Sequence, residues 1–420
     1  MTDARTQAAI ETVIRLESAR LIAGLAHYTG DIGLAEDLAQ DAVVAALEQW
    51  PAEGVPRNPG AWLTTVAKRR AIDFFRRSSD LNRKYAELGR TLAAEGGEAV
   101  TPDFDRAFSD DIDDDLLRLI FTACHPVLSV PSRVALTLRL LGGLTTAEIA
   151  RAYLVPEPTI AQRIVRAKKA LSEASVPFEV PAAGERGPRL ASVLEVIYLI
   201  FNEGYSATAG DDWMRPALCE EALRLGRILV GLVPEEPEVH GLVALMEIQA
   251  SRSKARVNAA GEPVLLLDQD RAKWDRLLIG RGLSALELAE KLRPQRGPYA
   301  TQAAIAACHA RAVTAADTDW GRIAALYGEL GRIEPSPVIE LNRAVAVGMA
   351  SGPAAGLALV DALKDDPALK NYHLLPSVRG DLLKKLGRME EARTEFERAA
   401  SITRNIRERN LLLERARACD

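Results

Sequence analysis

Apolar side chains recur along this chain three and four positions apart, and the strict alternation of a half-buried strand is nearly absent. Alanine, leucine, arginine and glutamate dominate, a set rich in strong helix formers. The pattern predicts an all-α protein. Residues 1 to 78 read as a compact helical block. Residues 79 to 111 are polar, carry Gly96, Gly97 and Pro102, and turn acidic from Asp103 to Asp115, which predicts a linker. Residues 112 to 175 form a second helical block. A joint rich in proline and glycine follows, Val176 to Pro188, and residues 189 to 420 form a long helical region.

The end of that region has the pattern of a helical repeat. Gly380, Leu383, Ala392, Phe396 and Ala399 take the small and large positions of a tetratricopeptide-type helix pair, around a Leu386-Gly387-Arg388 turn. An offset of about 36 residues places Ala344, Val347, Gly356, Val360 and Leu363 on the same positions.

The most specific local signal lies between Leu144 and Leu171. Thr145 followed by Glu148 predicts a capping box, and hence a helix start. Leu154-Val155-Pro156-Glu157-Pro158 interrupts that helix, and Pro158 suits the first turn of the next. In this second helix Ile160, Ile164, Ala167 and Leu171 share one face. Thr159, Gln162, Arg163 and Arg166 lie nearly opposite, flanked by Lys169. This is the layout of a helix-turn-helix, whose second helix offers base-edge donors and phosphate-binding cations to a major groove. An ordinary amphipathic surface helix has the same composition. No glycine lies in the turn, where one is common.

In the first block, Asn58-Pro59 opens a helix reaching about Arg77. Leu63, Ala67, Ala71 and Phe74 fall on one face. Trp62, Arg69, Asp73 and Arg76 fall on the other, flanked by Lys68, Arg70 and Arg77. Cations beside an exposed aromatic suit a nucleic-acid strand with unstacked bases, and equally a helix that buries Trp62 inside a charged rim. On the preceding helix Asp37, Gln40, Asp41 and Val44 make a strip with a polar edge.

Charge adds a constraint. The 420 residues carry a formal net charge of -5, so contact with nucleic acid must come from local basic clusters. Hydrophobic residues make up 48% of the chain, enough to bury large cores. The four cysteines, Cys124, Cys219, Cys308 and Cys419, have no paired spacing. They predict neither a disulfide framework nor a zinc site. The N-terminus lacks the apolar stretch of a signal peptide, and Leu190 to Phe201 is too short to span a bilayer. A cytoplasmic protein that needs no membrane is expected.

There is no phosphate-loop glycine motif, no nucleophile-elbow serine motif, and no paired metal-site histidines among His27, His125, His240, His309 and His373. No catalytic residue, metal or cofactor is expected. Asp268, Asp270 and Asp275 suit helix capping better than a cation loop. Glu203 and Tyr205, in a turn that runs to Asp211, Asp212 and Trp213, could mark an interdomain contact.

Taken in order, "AEDLAQDAVVAALEQW", "NPGAWLTTVAKRRAIDFFRR" and "LTTAEIARAYLVPEPTIAQRIVRAKKAL" resemble regions two and four of the extracytoplasmic-function RNA polymerase sigma factors. "LIFNEGYSA", "DQDRAKWDR", "GPYATQAAIAACHA", "TDWGRIAALY" and "SPVIELNRAVAV" resemble the extension of a long subgroup with a tetratricopeptide-like domain. The resemblance implies a sigma factor that does no chemistry, with core RNA polymerase and promoter DNA as partners. Asp37, Gln40, Asp41 and Val44 would dock on the β′ clamp helices, and the β flap would hold region four. The loop from Glu53 to Asn58 would capture a flipped base. Trp62, Lys68, Arg69, Arg70, Arg76 and Arg77, with Asn58, would contact the -10 element. Thr159, Gln162, Arg163, Arg166 and Lys169 would serve the -35 element, with Pro158 standing where a smaller residue is usual. The acidic linker would lie in the polymerase channel. The extension would support activity, by binding a protein partner or by folding against the sigma core. Two rival classes are a conventional helix-turn-helix regulator with a helical sensory domain, and an enzyme housed in the C-terminal half.

Overall fold

The computed structural model describes residues 2–89, 112–259 and 261–419. Among them the chain is helical almost throughout, as the spacing predicts. Residues 90–111, most of the expected acidic linker, lie outside the described residues. No helix among the described residues is long and apolar enough to cross a membrane. Nor do three metal-ligating side chains cluster anywhere among them. The chain divides into two compact units, Met1–Val196 and Ile197–Asp420.

The first unit opens with α1 (Thr2–Thr29), α2 (Ile32–Glu53) and α3 (Pro59–Gly89). Asp31 starts α2 by accepting the Leu34 amide at 3.0 Å. Helix α2 buries Ala35, Leu38, Ala39, Ala42, Ala46 and Trp50. Most of these are small, so neighbouring helices approach closely. Leu63, Ala67 and Ala71 of α3 are fully buried, as the sequence predicts. Phe74 is not: it stays 43% exposed. The ring that packs is Phe75, edge-on to Tyr28 with centroids 5.8 Å apart. Tyr28 lies near the end of α1, and its position selects the second phenylalanine. Helix α3 also runs past Arg77 to Gly89. Between Ser78 and Leu88 the sequence holds no glycine or proline to stop it.

Next come α4 (Ile112–Ala123), α5 (Val130–Leu140), α6 (Thr146–Tyr153) and α7 (Glu157–Glu173). Asp115 ties α4 to α1: its carboxylate meets His27 Nδ1 and the Arg118 guanidinium, each at 2.5 Å. Helix α8 (Ala183–Tyr205) takes Pro188 inside it, so the expected joint is shorter than its composition suggests. Proline there removes only one backbone bond, to the carbonyl four residues back.

The second unit continues with α9 (Pro216–Leu232), α10 (Pro237–Ala250), α11 (Arg276–Leu292), α12 (Pro298–Arg311), α13 (Trp320–Ile333), α14 (Pro337–Ser351), α15 (Pro353–Leu363), α16 (Leu374–Lys385), α17 (Met389–Ile402) and α18 (Ile406–Arg417). Helices α16 and α17 form a hairpin. Leu383, Ala392, Phe396 and Ala399 fill its core, and a Cβ on Gly380 would come within 2.9 Å of the Phe396 ring. Gly387 turns the chain with φ +74°. Helices α14 and α15 approach similarly where Gly356 faces Gly348 and the Ala344 carbonyl. A two-residue parallel pair, β1 (Ala209–Gly210) with β2 (Arg404–Asn405), joins the start of this unit to its end. The buried Asn405 amide reinforces the join by donating to the carbonyls of Ala207 and Asp212.

Candidate nucleic-acid interface

The turn between α6 and α7 is built from local signals. The Thr145 hydroxyl accepts the Glu148 amide at 3.1 Å, and Glu148 accepts the Thr145 amide at 2.7 Å. The capping box is therefore complete. Helix α6 ends in Leu154, whose φ of +49° and ψ of +45° are left-handed. That residue takes the conformation a glycine usually supplies. Pro158 sits in the first turn of α7. Ile160, Ile164, Ala167 and Leu171 are buried. Gln162, Arg166 and Lys169 point to solvent, while Thr159 and Arg163 are half-buried at the edge of the core face. Lys169 also reaches Glu173 at 3.5 Å.

Helix α3 begins with an Asn58 cap, whose side chain accepts the Ala61 amide at 3.1 Å. Trp62 is half-buried rather than exposed, edge-on to the buried Trp50 with centroids 5.3 Å apart. Arg69, Arg70, Arg76 and Arg77 are exposed and Lys68 is half-buried. Asp73 is the only acid between Pro59 and Arg77, so this side of α3 is strongly positive. Residues of the preceding loop, Glu53, Gly54, Val55 and Arg57, are exposed.

Asp37, Gln40, Asp41 and Val44 all lie on the solvent side of α2. Asp41 pairs with Arg70 at 3.3 Å, which links two of the predicted sets. Gln40 donates to Glu36 at 2.7 Å. Gln40 and Val44 also border a crevice of about 570 Å³, whose far wall is Arg139, Gly143, Thr145 and Glu148.

Glu36 is the important residue that local sequence reading misses. Its buried carboxylate accepts from Arg139 of α5 at 2.6 Å and meets Lys168 of α7 at 2.5 Å. Burial alone would raise its pKa, but the two adjacent cations outweigh that and hold it below the ordinary carboxylate value. Its two cationic partners lie more than 100 residues away, so no local pattern announces them. Lys168 thereby turns to the inside of the unit, while Arg166 and Lys169 stay outside.

Together these helices can hold phosphates along α3 and present a glutamine and an arginine from α7 to base edges. Residues 14–80 match the family model for sigma-70 region 2, and residues 118–171 match that for sigma-70 region 4. Residues 189–290 match a family of unknown function, DUF6596. An uncharacterized protein of Rhizobium meliloti (strain 1021) is 45% identical over 397 residues, which cover 94% of this chain and 92% of that protein. No solved structure matches the chain.

Proposed function

The chain belongs to the sigma-70 family, as an extracytoplasmic-function-like sigma factor with a C-terminal extension, and from that premise we propose that it binds core RNA polymerase through α2 and directs it to promoters. Region-two and region-four matches carry a role in promoter recognition. The finer reading assigns Asp37, Gln40, Asp41 and Val44 to the β′ clamp helices, and region four to the β flap. The basic side of α3 meets the opened -10 element. Gln162, Arg163 and Arg166, with Thr159 and Lys169 at the backbone, read the -35 element. The extension modulates this activity, and the protein contributes binding without chemistry of its own.

One observation carries the reading. Two helices that each bury a regular apolar face, α3 and α7, keep arginines on the opposite side, in one unit and in the order of the two matched regions. Polymerase supplies many of the phosphate contacts, which makes the net charge of -5 tolerable. The test is a pull-down of core polymerase by the full chain and by an Asp37→Arg/Gln40→Ala double variant. Retention by the full chain and loss in the variant is the expected result. Equal retention would remove α2 from the interface, and no retention by either would favour a regulator that binds DNA without polymerase.

A further inference from the structure

Four of the extension's sequence motifs meet at one place in the second unit. Tyr205 follows the end of the first motif's apolar run, and Trp213 lies just beyond it. Arg271 and Trp274 come from "DQDRAKWDR", His309 from "AACHA", and Thr318 and Trp320 from "TDWGRIAALY". Arg252 and Arg256 come from the segment after α10. In space, guanidinium groups and rings alternate. Arg256 lies 3.5 Å from the Tyr205 ring centroid and 5.7 Å from that of Trp213. Arg252 lies 5.7 Å from both Tyr205 and Trp274, and Arg271 lies 4.7 Å from Trp274.

No ion pair neutralises the guanidinium groups of this assembly among the described residues; Asp317, hydrogen-bonded to Thr314, acts on Arg271 only from beyond ion-pair distance. Arg256 is 7% exposed and Arg271 8%, yet among the described residues no carboxylate pairs with Arg252, Arg256 or Arg271. Arg252 donates to the Tyr205 hydroxyl at 2.6 Å, and Arg256 to the Tyr205 carbonyl. Arg271 donates to the carbonyls of His309 and Ala312 and to the Thr318 hydroxyl. Burial lowers the pKa of Arg256 and Arg271, and pushes His309 down to about 4, with Arg252 and Arg271 adding to the effect. His309 is therefore neutral near pH 7.

Among the guanidinium groups and indole rings of the assembly the leftover hydrogen-bonding capacity is that of donors, while Gln269 Oε1 of the same motif is a buried acceptor without a partner. Arg252 Nε, Arg271 Nε and Trp274 Nε1 are buried without a partner. All three are obligate donors. His309 Nδ1 is also buried and unpartnered, and donates in one of its two neutral tautomers. Each orphaned donor costs about 1–3 kcal/mol, and a buried cation without an anion costs several. Ring stacking returns only about 0.5–2 kcal/mol per pair. A negatively charged acceptor admitted beside these donors would answer donor and cation alike, and the planar guanidinium fork matches carboxylate and phosphate oxygens.

We propose that Arg252, Arg271 and Trp274, with His309 at their edge, form a binding site for a small oxyanion-bearing ligand, a carboxylate or a phosphate. The extension is then a sensor of a small anionic molecule. The binding step stands whether or not the chain acts with polymerase.

Calorimetric titration of the full chain tests it, with sodium phosphate and with sodium succinate, each against sodium chloride of equal ionic strength. Saturable one-to-one binding of either oxyanion is expected, and which one binds identifies the ligand's charged group. Arg271→Lys keeps the charge but loses the fork, and Trp274→Phe keeps the ring but loses the N–H. Each should weaken binding by at least about tenfold, the effect of one charge-assisted hydrogen bond. Circular dichroism checks that both variants are folded. If one is not, the other variant and the wild-type titration still decide. No saturable binding of either anion by the wild-type chain, or undiminished binding by the folded variants, overturns the proposal.

Discussion

Leu154 holds a left-handed backbone, φ +49° and ψ +45°, in which a Cβ crowds the following carbonyl oxygen. That conformation costs an ordinary residue roughly 1–2 kcal/mol, and the side chain recovers little by packing because it is 52% exposed. Replacing it with glycine relieves the crowding but adds roughly 0.5–1 kcal/mol of unfolded-state entropy. Leu154→Gly is therefore expected to raise stability by about 0.5 kcal/mol, and Leu154→Val to lower it by about 1 kcal/mol. Scanning calorimetry of the full chain checks both. Glu36 sets a different single-residue test. Its pKa is held below the ordinary 4.5, so its contribution is fully present above pH 4.5 and is lost as pH falls through the lowered value. Glu36→Gln keeps the shape but removes the charge that Arg139 and Lys168 share. The variant should lose about 2 kcal/mol at neutral pH. It should also show a shallower fall in stability below pH 4.5 than the native chain does. Identical acid profiles for the two proteins would show that the cluster does not hold this charge.

Helix α7 separates stability from recognition on its two faces. Ile164→Ala removes a buried branched side chain and is expected to destabilise the first unit by about 2–4 kcal/mol. Arg166→Ala removes only exposed atoms, so stability should stay within about 0.5 kcal/mol. If α7 reads a promoter, the same change should weaken promoter binding by the polymerase complex by about 1–3 kcal/mol. Filter-binding titrations of the two variants across a salt series check this, since a lost phosphate contact also flattens the salt dependence. Most of this element was legible in the sequence. Thr145 with Glu148 announced the start of α6, Pro158 the start of α7, and Ile160 to Leu171 the buried face, because caps and helical periods are local. What was not legible came from contacts between elements. The choice of Phe75 over Phe74 depends on where Tyr28 falls. The inward turn of Lys168 depends on Glu36, and the half-burial of Trp62 on Trp50. The extent of α3 to Gly89 was misplaced for another reason: polar composition suggests a linker, but polar residues without a glycine or proline do not by themselves stop a helix.

For the whole molecule, the question is where the extension may be cut. Composition points to Pro188, yet residues just after it belong to the first compact unit. Arg189 donates to the Phe121 carbonyl at 2.9 Å, and the Ser192 hydroxyl to the Cys124 carbonyl at 2.7 Å. Arg133, only 9% exposed, donates to Ser192 and pairs with Glu195 at 3.0 Å. A chain ending at Pro188 would leave the Arg133 guanidinium inside without these partners, and two carbonyls without their donors. Unmet buried groups of this kind cost about 1–3 kcal/mol each, and more for a charge. Residues 1–188 are therefore expected to be at least about 3 kcal/mol less stable than residues 1–196, measured by urea unfolding. The difference bears on how the role of the extension is judged. Inactivity of residues 1–188 in transcription would report damage to α5, which carries Arg133, and to the capped turn that follows it. Inactivity of residues 1–196, folded as well as the native unit, would report a positive contribution from residues 197–420. Activity equal to the full chain would remove that contribution, and greater activity would make the extension an inhibitor.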